Sequence, residues 1–197
     1  MERDYRPLIV AAALSAAMLF AGWRLGVIGE PAPVYIPTFF DQIRPGMTVD
    51  ELKALGGLPH DPDAPSGPPH FEFRGDVDRG KGVIYGDPFI ADTQFVRGQL
   101  VRFELRTSDS YAGAPIDHGD LLALVPVLAE AKMLRQGYSA EALVDALGEG
   151  VRVARIVDTT HGAIDVLRWD VALDGRRVAR LEASVASGQV IAHQLTE

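Results

Sequence analysis

Cysteine is absent from the 197 residues. That excludes a disulfide framework, thiolate zinc and iron–sulfur centres, and a lipid-modified N-terminal cysteine. Aromatic residues make up only 8% of the chain, while Gly (20) and Pro (13) are frequent, a balance that favours many turns over long helices. Basic charge is scarce as well. From residue 30 onward 16 Lys and Arg face 25 Asp and Glu, which opposes nucleic-acid binding. Motifs of catalysis are missing: there is no GxSxG, no phosphate-cradling GxxxxGKS and no HExxH,. The five histidines, His60, His70, His118, His161 and His193, are scattered singly, without the i,i+4 spacing of a helical metal site,. Asp76 and Asp78 open like a calcium loop, but the later ligands are lacking,. Asp117, His118 and Asp120 lie together in a polar stretch of the kind that is ordinarily solvated,. No catalytic, cofactor-binding or metal residue is assigned, no cofactor is expected, and the chain is not expected to be an enzyme.

What is present divides unevenly. Residues 7–23 carry no charge, and only Arg24 interrupts the apolar run to Gly29. As a helix, residues 7–29 would span about 34 Å at 1.5 Å per residue, enough for a hydrocarbon core. Trp23 then sits at the interface and Arg24 reaches the headgroups. The expectation is a single-pass anchor in the cytoplasmic (inner) membrane at residues 1–30, with the C-terminal region in the periplasm. The alternative is a signal peptide cut after Gly29. Ala13, Ala17 and Ala21 recur four apart, a spacing that also admits a second helix in the membrane,. Residues 31–37 carry three prolines and read as a stiff spacer,.

The folded part begins near Thr38, and it contains one joint written twice. In IRPGMTVDELKALGGLP, residues 43–59, Gly46 suits a helix stop, Thr48 an N-cap and Glu51 the reciprocal half of a capping box,. Met47 and Leu52 fit a hydrophobic staple, with Gly57 and Pro59 ending the helix,. In LRQGYSAEALVDALGEG, residues 134–150, Gly137, Ser139, Leu143 and Gly148 take the same roles, but Ala142 cannot reciprocate and the cap should be weaker. A second match at nearly the same offset joins FVRGQLVRFEL, residues 95–105, to VASGQVIAHQL, residues 185–195, each read as a hairpin,. Two matches at one period indicate duplication. Strict alternation along residues 166–185, around an Asp174-Gly175 turn, places Leu167, Trp169, Val171, Leu181 and Ala183 on an inner face. Arg168, Asp170, Arg180 and Glu182 then face water,. Residues 121–134 read as an apolar helix, bent or begun afresh at Pro126,. The proline-rich stretch 58–70 reads as a connecting loop or a partner-binding one,.

The expected fold class is α+β: an N-terminal transmembrane helix followed by two tandem helix-helix-antiparallel-sheet modules, at 38–108 and 119–197, joined by a linker at 109–118. The 43–59 motif resembles the signature of the SmpA/OmlA (BamE-like) family through Gly46, Met47-Thr48, Leu52, Gly57 and Pro59. The second copy matches through Gly137, Ser139, Leu143, Leu147 and Gly148, without the proline. A tandem of two such modules is similar in layout to the β-lactamase inhibitor proteins. The resemblance implies a fold used for binding. The functional expectation is a membrane-anchored periplasmic protein–protein interaction module, an accessory or assembly subunit of a larger bacterial cell-envelope complex. Its partners are expected to be other membrane or periplasmic proteins, with membrane contact through residues 7–29 and no nucleic acid. The alternative is a secreted soluble inhibitor or binding protein after signal-peptide cleavage.

Overall fold

In the computed structural model, residues 36–73, 89–109 and 111–197 are described, and they fall within one compact unit, Pro33–Glu197. The anchor expected at 1–30, the spacer up to residue 35, and Asp76 and Asp78 lie outside the described residues.

The chain opens with a five-residue 3-10 turn, η1 (Thr38–Gln42), and a six-residue helix, α1 (Val49–Ala54). Strands β1 (Gly57–His60), β2 (His70–Phe73), β3 (Phe89–Val96) and β4 (Gln99–Arg106) follow, then a short strand β5 (Ala114–His118). Helix α2 (Leu121–Met133), the two-residue β6 (Tyr138–Ser139) and helix α3 (Ala140–Leu147) lead into the long strands. These are β7 (Val151–Asp158), β8 (Gly162–Leu173), β9 (Arg176–Ala186) and β10 (Gln189–Thr196). All ten strands form one sheet, in the order β1-β2-β3-β4-β7-β8-β9-β10-β6. Its pairs are antiparallel except β5, which runs parallel to the end of β8.

Local chemistry explains the elements that were foreseen. Thr48 caps α1 with both arms of a capping box: Glu51 N donates to Thr48 Oγ1 at 3.2 Å and Thr48 N donates to Glu51 Oε2 at 2.7 Å. Ser139 accepts from Ala142 N at a longer 3.4 Å, with no returning arm. The hairpins turn at Arg97-Gly98, Asp174-Gly175 and Ser187-Gly188, each pair with two positive φ angles, the geometry that matches the twist of the flanking strands,. One detail differs: Gly56 carries the positive φ after α1, while Gly57 starts β1 in ordinary conformation. A Cβ on Gly57 would lie 2.8 Å from a carbon of the Phe71 ring and 2.9 Å from Leu52 O. Pro59 sits in β1 at the sheet edge, where a missing N–H costs least,. Pro126 lies inside an unbroken α2.

The expected pair of helix-helix-sheet modules is corrected by the sheet itself. The edge of β4 does not end a module. It pairs with β7 from Arg102↔Asp158 to Arg106↔Ala154, and Thr107 N extends the ladder to Val153 O at 2.8 Å. An open edge there would have left a row of backbone donors and acceptors unpaired. Strands dominate, and the expected first helix is a single 3-10 turn. The inner-membrane, single-pass placement is corrected in the same way. No helix among the described residues is long and apolar enough to cross a membrane. With the 7–29 segment outside those residues, the membrane reading is not carried into the function.

The helices cover one face of the sheet, over two differently built cores. Under η1 and α1, seven of the chain's eight phenylalanines gather, with the fully buried Phe40 edge-on to Phe39, Phe73 and Phe89 at 5.2, 5.2 and 5.4 Å. Under α2 and α3 the core is aliphatic around Trp169, whose Nε1 donates to Gly148 O at 3.0 Å. A Cβ on Gly150 would come within 2.6 Å of that indole. At the seam between the cores, Arg152 donates to Ile36 O (2.7 Å) and Asp41 (2.6 Å), and Arg155 grips both oxygens of Asp165 at 2.9 and 3.0 Å.

Because only Thr48 has the reciprocal arm, Thr48→Ala should lower stability by about 1 kcal/mol and Ser139→Ala by less. Urea unfolding of the two variants checks the order, and an equal or reversed loss contradicts it.

Candidate functional site

Strand registers fix what lies on the other, helix-free face. Across β4, β7, β8 and β9 it presents Glu104, Ile156, Ile164 and Ala186 in one row, and Arg106, Ala154, Val166 and Ser184 in the next. Arg168, opposite Glu182, and Asp170, opposite Arg180, continue it toward the Asp174-Gly175 turn. Toward the other edge stand His70, Glu72, Asp92 and Arg102.

Alternation alone would send Arg168 and Arg180 into water. Instead the connector between β4 and β5 crosses this face, and the two arginines clasp it. Arg168 is fully buried. Its Nε and Nη2 engage Glu182 Oε1 at 2.7 and 2.6 Å, Nη1 donates to Tyr111 O at 2.9 Å, and Nη2 reaches Asp109 Oδ1 at 3.3 Å. Arg180 donates to Asp109 O (2.7 Å) and Tyr111 O (3.1 Å), and binds both oxygens of Asp170 at 2.7 and 3.0 Å. The connector returns one bond, Gly113 N to Asp170 Oδ2 at 2.7 Å. Only glycine fits at that point, since a Cβ would lie 2.8 Å from both Arg168 Cγ and the Trp169 backbone. A buried arginine is tolerated here because its donors meet a carboxylate and main-chain carbonyls.

Burial works against ionised Asp170. The hydrogen bonds from Arg180 and from Gly113 N–H, with the charges of Arg180 and Arg177, outweigh it and hold the carboxyl below its ordinary value,. Asp158, at the far end of β7, is likewise lowered: burial opposes ionisation, but N–H donation from His161 and Thr160 prevails.

Beside the clasp the face sinks into a hollow of about 650 Å³, walled by Arg106, Asp109, Arg177, Arg180 and Glu182 and by Gln194, Thr196 and Glu197 of the last strand and its end. A smaller hollow of about 230 Å³ shares Arg106, Glu182 and Gln194 with it and reaches Val166, Ser184 and Ala192. These groups can recognise charge and hydrogen-bonding partners.

The residues singled out in the sequence are dispersed. His60 pairs with Glu72 at 3.0 Å, His70 with Asp92 at 2.8 Å, and His161 with Asp158 at 3.3 Å. His193 is exposed on β10. Asp117 and His118 lie in β5, paired in register with Ala172 and Leu173, whereas Asp120 caps α2 by accepting from Ala123 N at 2.6 Å. Among the described residues no three His, Asp or Glu side chains are placed to hold a metal ion. The clasp and the hollow were not foreseen, because the acceptors that meet Arg168, Glu182 on the next strand and Tyr111 O and Asp109 in the connector, lie 14 to 59 positions away in the chain.

No family model matches the chain, and no curated protein matches it. The SmpA/OmlA resemblance is therefore without support, and the BamE-like description is withdrawn along with the modules it implied. Among solved structures the chain is similar to one described as a "putative beta-lactamase inhibitor protein" from Streptococcus mutans. The identity is 12%, over 83% of this chain and 91% of that one, with a TM-score of 0.37. That is the layout to which a tandem was compared, and no residue role is carried across from it.

Arg168→Met should cost about 1–3 kcal/mol in urea unfolding, since it leaves Glu182 Oε1 and Tyr111 O without their donor,. Amide exchange at 107–113 should rise with it, and unchanged protection there would contradict the clasp. Asp170 has a folded pKa below its unfolded one, so its contribution is complete above about pH 4 and is lost as pH falls through the lower folded value,. Asp170→Asn should therefore be less stable at neutral pH and show a shallower acid dependence, read from thermal melts across the acid range.

Proposed function

We propose that this chain is a non-enzymatic binding protein that docks another folded protein on the helix-free face of its sheet, with the clasped connector and the adjoining hollow at the centre of contact. The observation that carries this reading is the clasp. Arg168 and Arg180 spend their donors on fixing the connector across the face, so the surface is shaped before a partner arrives and little ordering is left to oppose association. The face mixes charge of both signs with apolar residues such as Ile156 and Ala192, as protein interfaces do. The acidic balance of the chain supports a protein partner over nucleic acid,. Of the two roles expected from the sequence, this one is nearer to the binding or inhibitory protein and needs no membrane anchor.

The absence of native cysteine gives a direct test. A photo-cross-linker is attached to single cysteines at Gln94 or Gln194, both exposed on this face, or at Ala129 on the outer side of α2. The same polypeptide should be captured from Gln94 and Gln194 and not from Ala129. Capture from Ala129 alone would move the interface to the helices.

A further inference from the structure

Helix α2 is the element whose outer side its own fold does not explain. Leu124 and Ala131 are buried against the sheet, with Val127 and Leu128 half-buried beside them. A helix that buries one side ordinarily carries polar residues on the other. Here the opposite side is apolar as well: Leu122, Val125, Pro126, Ala129 and Met133 recur at helical spacing, all exposed, with no charge among them. Leu122 is 84% exposed, Met133 68% and Val125 56%, and with Leu121 this one helix holds four of the eight large exposed hydrophobic side chains among the described residues. Such side chains are ordinary when scattered singly, but gathered in one stripe they mark a contact.

The stripe is complementary to itself. Its long side chains lie at the ends and its small ones in the middle. Two copies laid head to tail therefore set Leu122 against Met133 of the second copy and Pro126 against Ala129 of the second copy, where the small pair lets the helices approach. The same arrangement brings Asp120, the cap before the first turn, to Arg135, just past the last turn; both are exposed. It also opposes the two helix dipoles. A lipid surface suits the stripe less, because helices that lie on membranes are rich in Lys and Arg. The only cation within α2 is Lys132, tied to Glu197 at 2.9 Å, in a chain that is acidic overall.

We infer that the outer face of α2 is a self-association surface, on which a second copy of this chain packs helix against helix, antiparallel about a twofold axis. A face of one 13-residue helix is smaller than the roughly 800 Å² per partner that a standard stable interface buries, so the pair is reversible and forms as concentration rises. Because α2 covers the other side of the sheet, the helix-free face of each copy stays open.

Sedimentation equilibrium of the full chain should show its mass rising from 21.3 kDa toward twice that value between about 1 µM and about 1 mM. Ala129→Arg places a charge at the centre of the pair and should weaken dimerisation at least about tenfold. Ala129 is exposed, so the variant should keep its fold, which an unchanged thermal melt would establish. Direction is read from Leu122→Cys and Met133→Cys in the otherwise cysteine-free chain: mixed, they should form disulfide dimers faster than either variant alone. A chain that stays monomeric over this range overturns the surface, as does dimerisation that Ala129→Arg leaves unchanged, or fastest cross-linking within a single variant. Binding to phosphatidylcholine–phosphatidylglycerol vesicles by a monomeric chain, abolished by Ala129→Arg, would put lipid on the stripe and overturn it equally. The docking face is judged apart from this: its partner is sought from Gln94 and Gln194, whereas a cross-linker at Ala129 should return only a second copy of this chain.

Discussion

The buried pairing of Arg168 with Glu182 is the constraint on which this molecule's helix-free face depends. Taking a guanidinium out of water is costly, and it is tolerated only where geometry satisfies nearly every donor. Here the requirement extends beyond the ion pair to the carbonyl of Tyr111, with Asp109 close by, so the connector cannot lift without stranding a charge. The same anchoring determines Gly113, whose missing Cβ allows the connector to lie against the β8 backbone. It also helps set where β5 starts its parallel pairing with Trp169. A linker that could have hung free is thereby made a part of the sheet.

A second constraint, at the seam, holds the two cores in one body. Five residue pairs join β4 to β7, and on the helix side Arg152 ties Ile36 O and Asp41, at the beginning of the described chain, to β7, while Arg155 ties β7 to Asp165 of β8. Val157, on β7, packs into the phenylalanine cluster of the preceding strands. The cores differ in chemistry, aromatic on one side and aliphatic around Trp169 on the other, yet backbone pairing passes from one to the other without a break.

Much of this was legible in short windows of sequence. The Thr48–Glu51 box, the weaker Ser139 cap, three glycine-containing hairpin turns and the inward set of Leu167, Trp169 and Leu181 follow from spacings of two to four residues. The reading failed where a partner is distant. Arg168 and Arg180 alternate like solvent-facing residues, and nothing near them in the chain announces the connector some 60 to 70 positions away that covers them. The polar trio Asp117, His118 and Asp120 looked like one cluster, and the structure divides it between a strand and a helix cap.

The sequence by itself determined where helices begin, where strands turn and which side of each strand is apolar, because caps, positive φ angles and period-two alternation are local preferences of individual side chains. Tertiary structure alone decided that β4 meets β7, that β5 joins β8, and that a charged face is partly roofed. Those choices are made by backbone hydrogen bonds and main-chain carbonyls, groups that every residue offers alike and that leave no mark on residue identity.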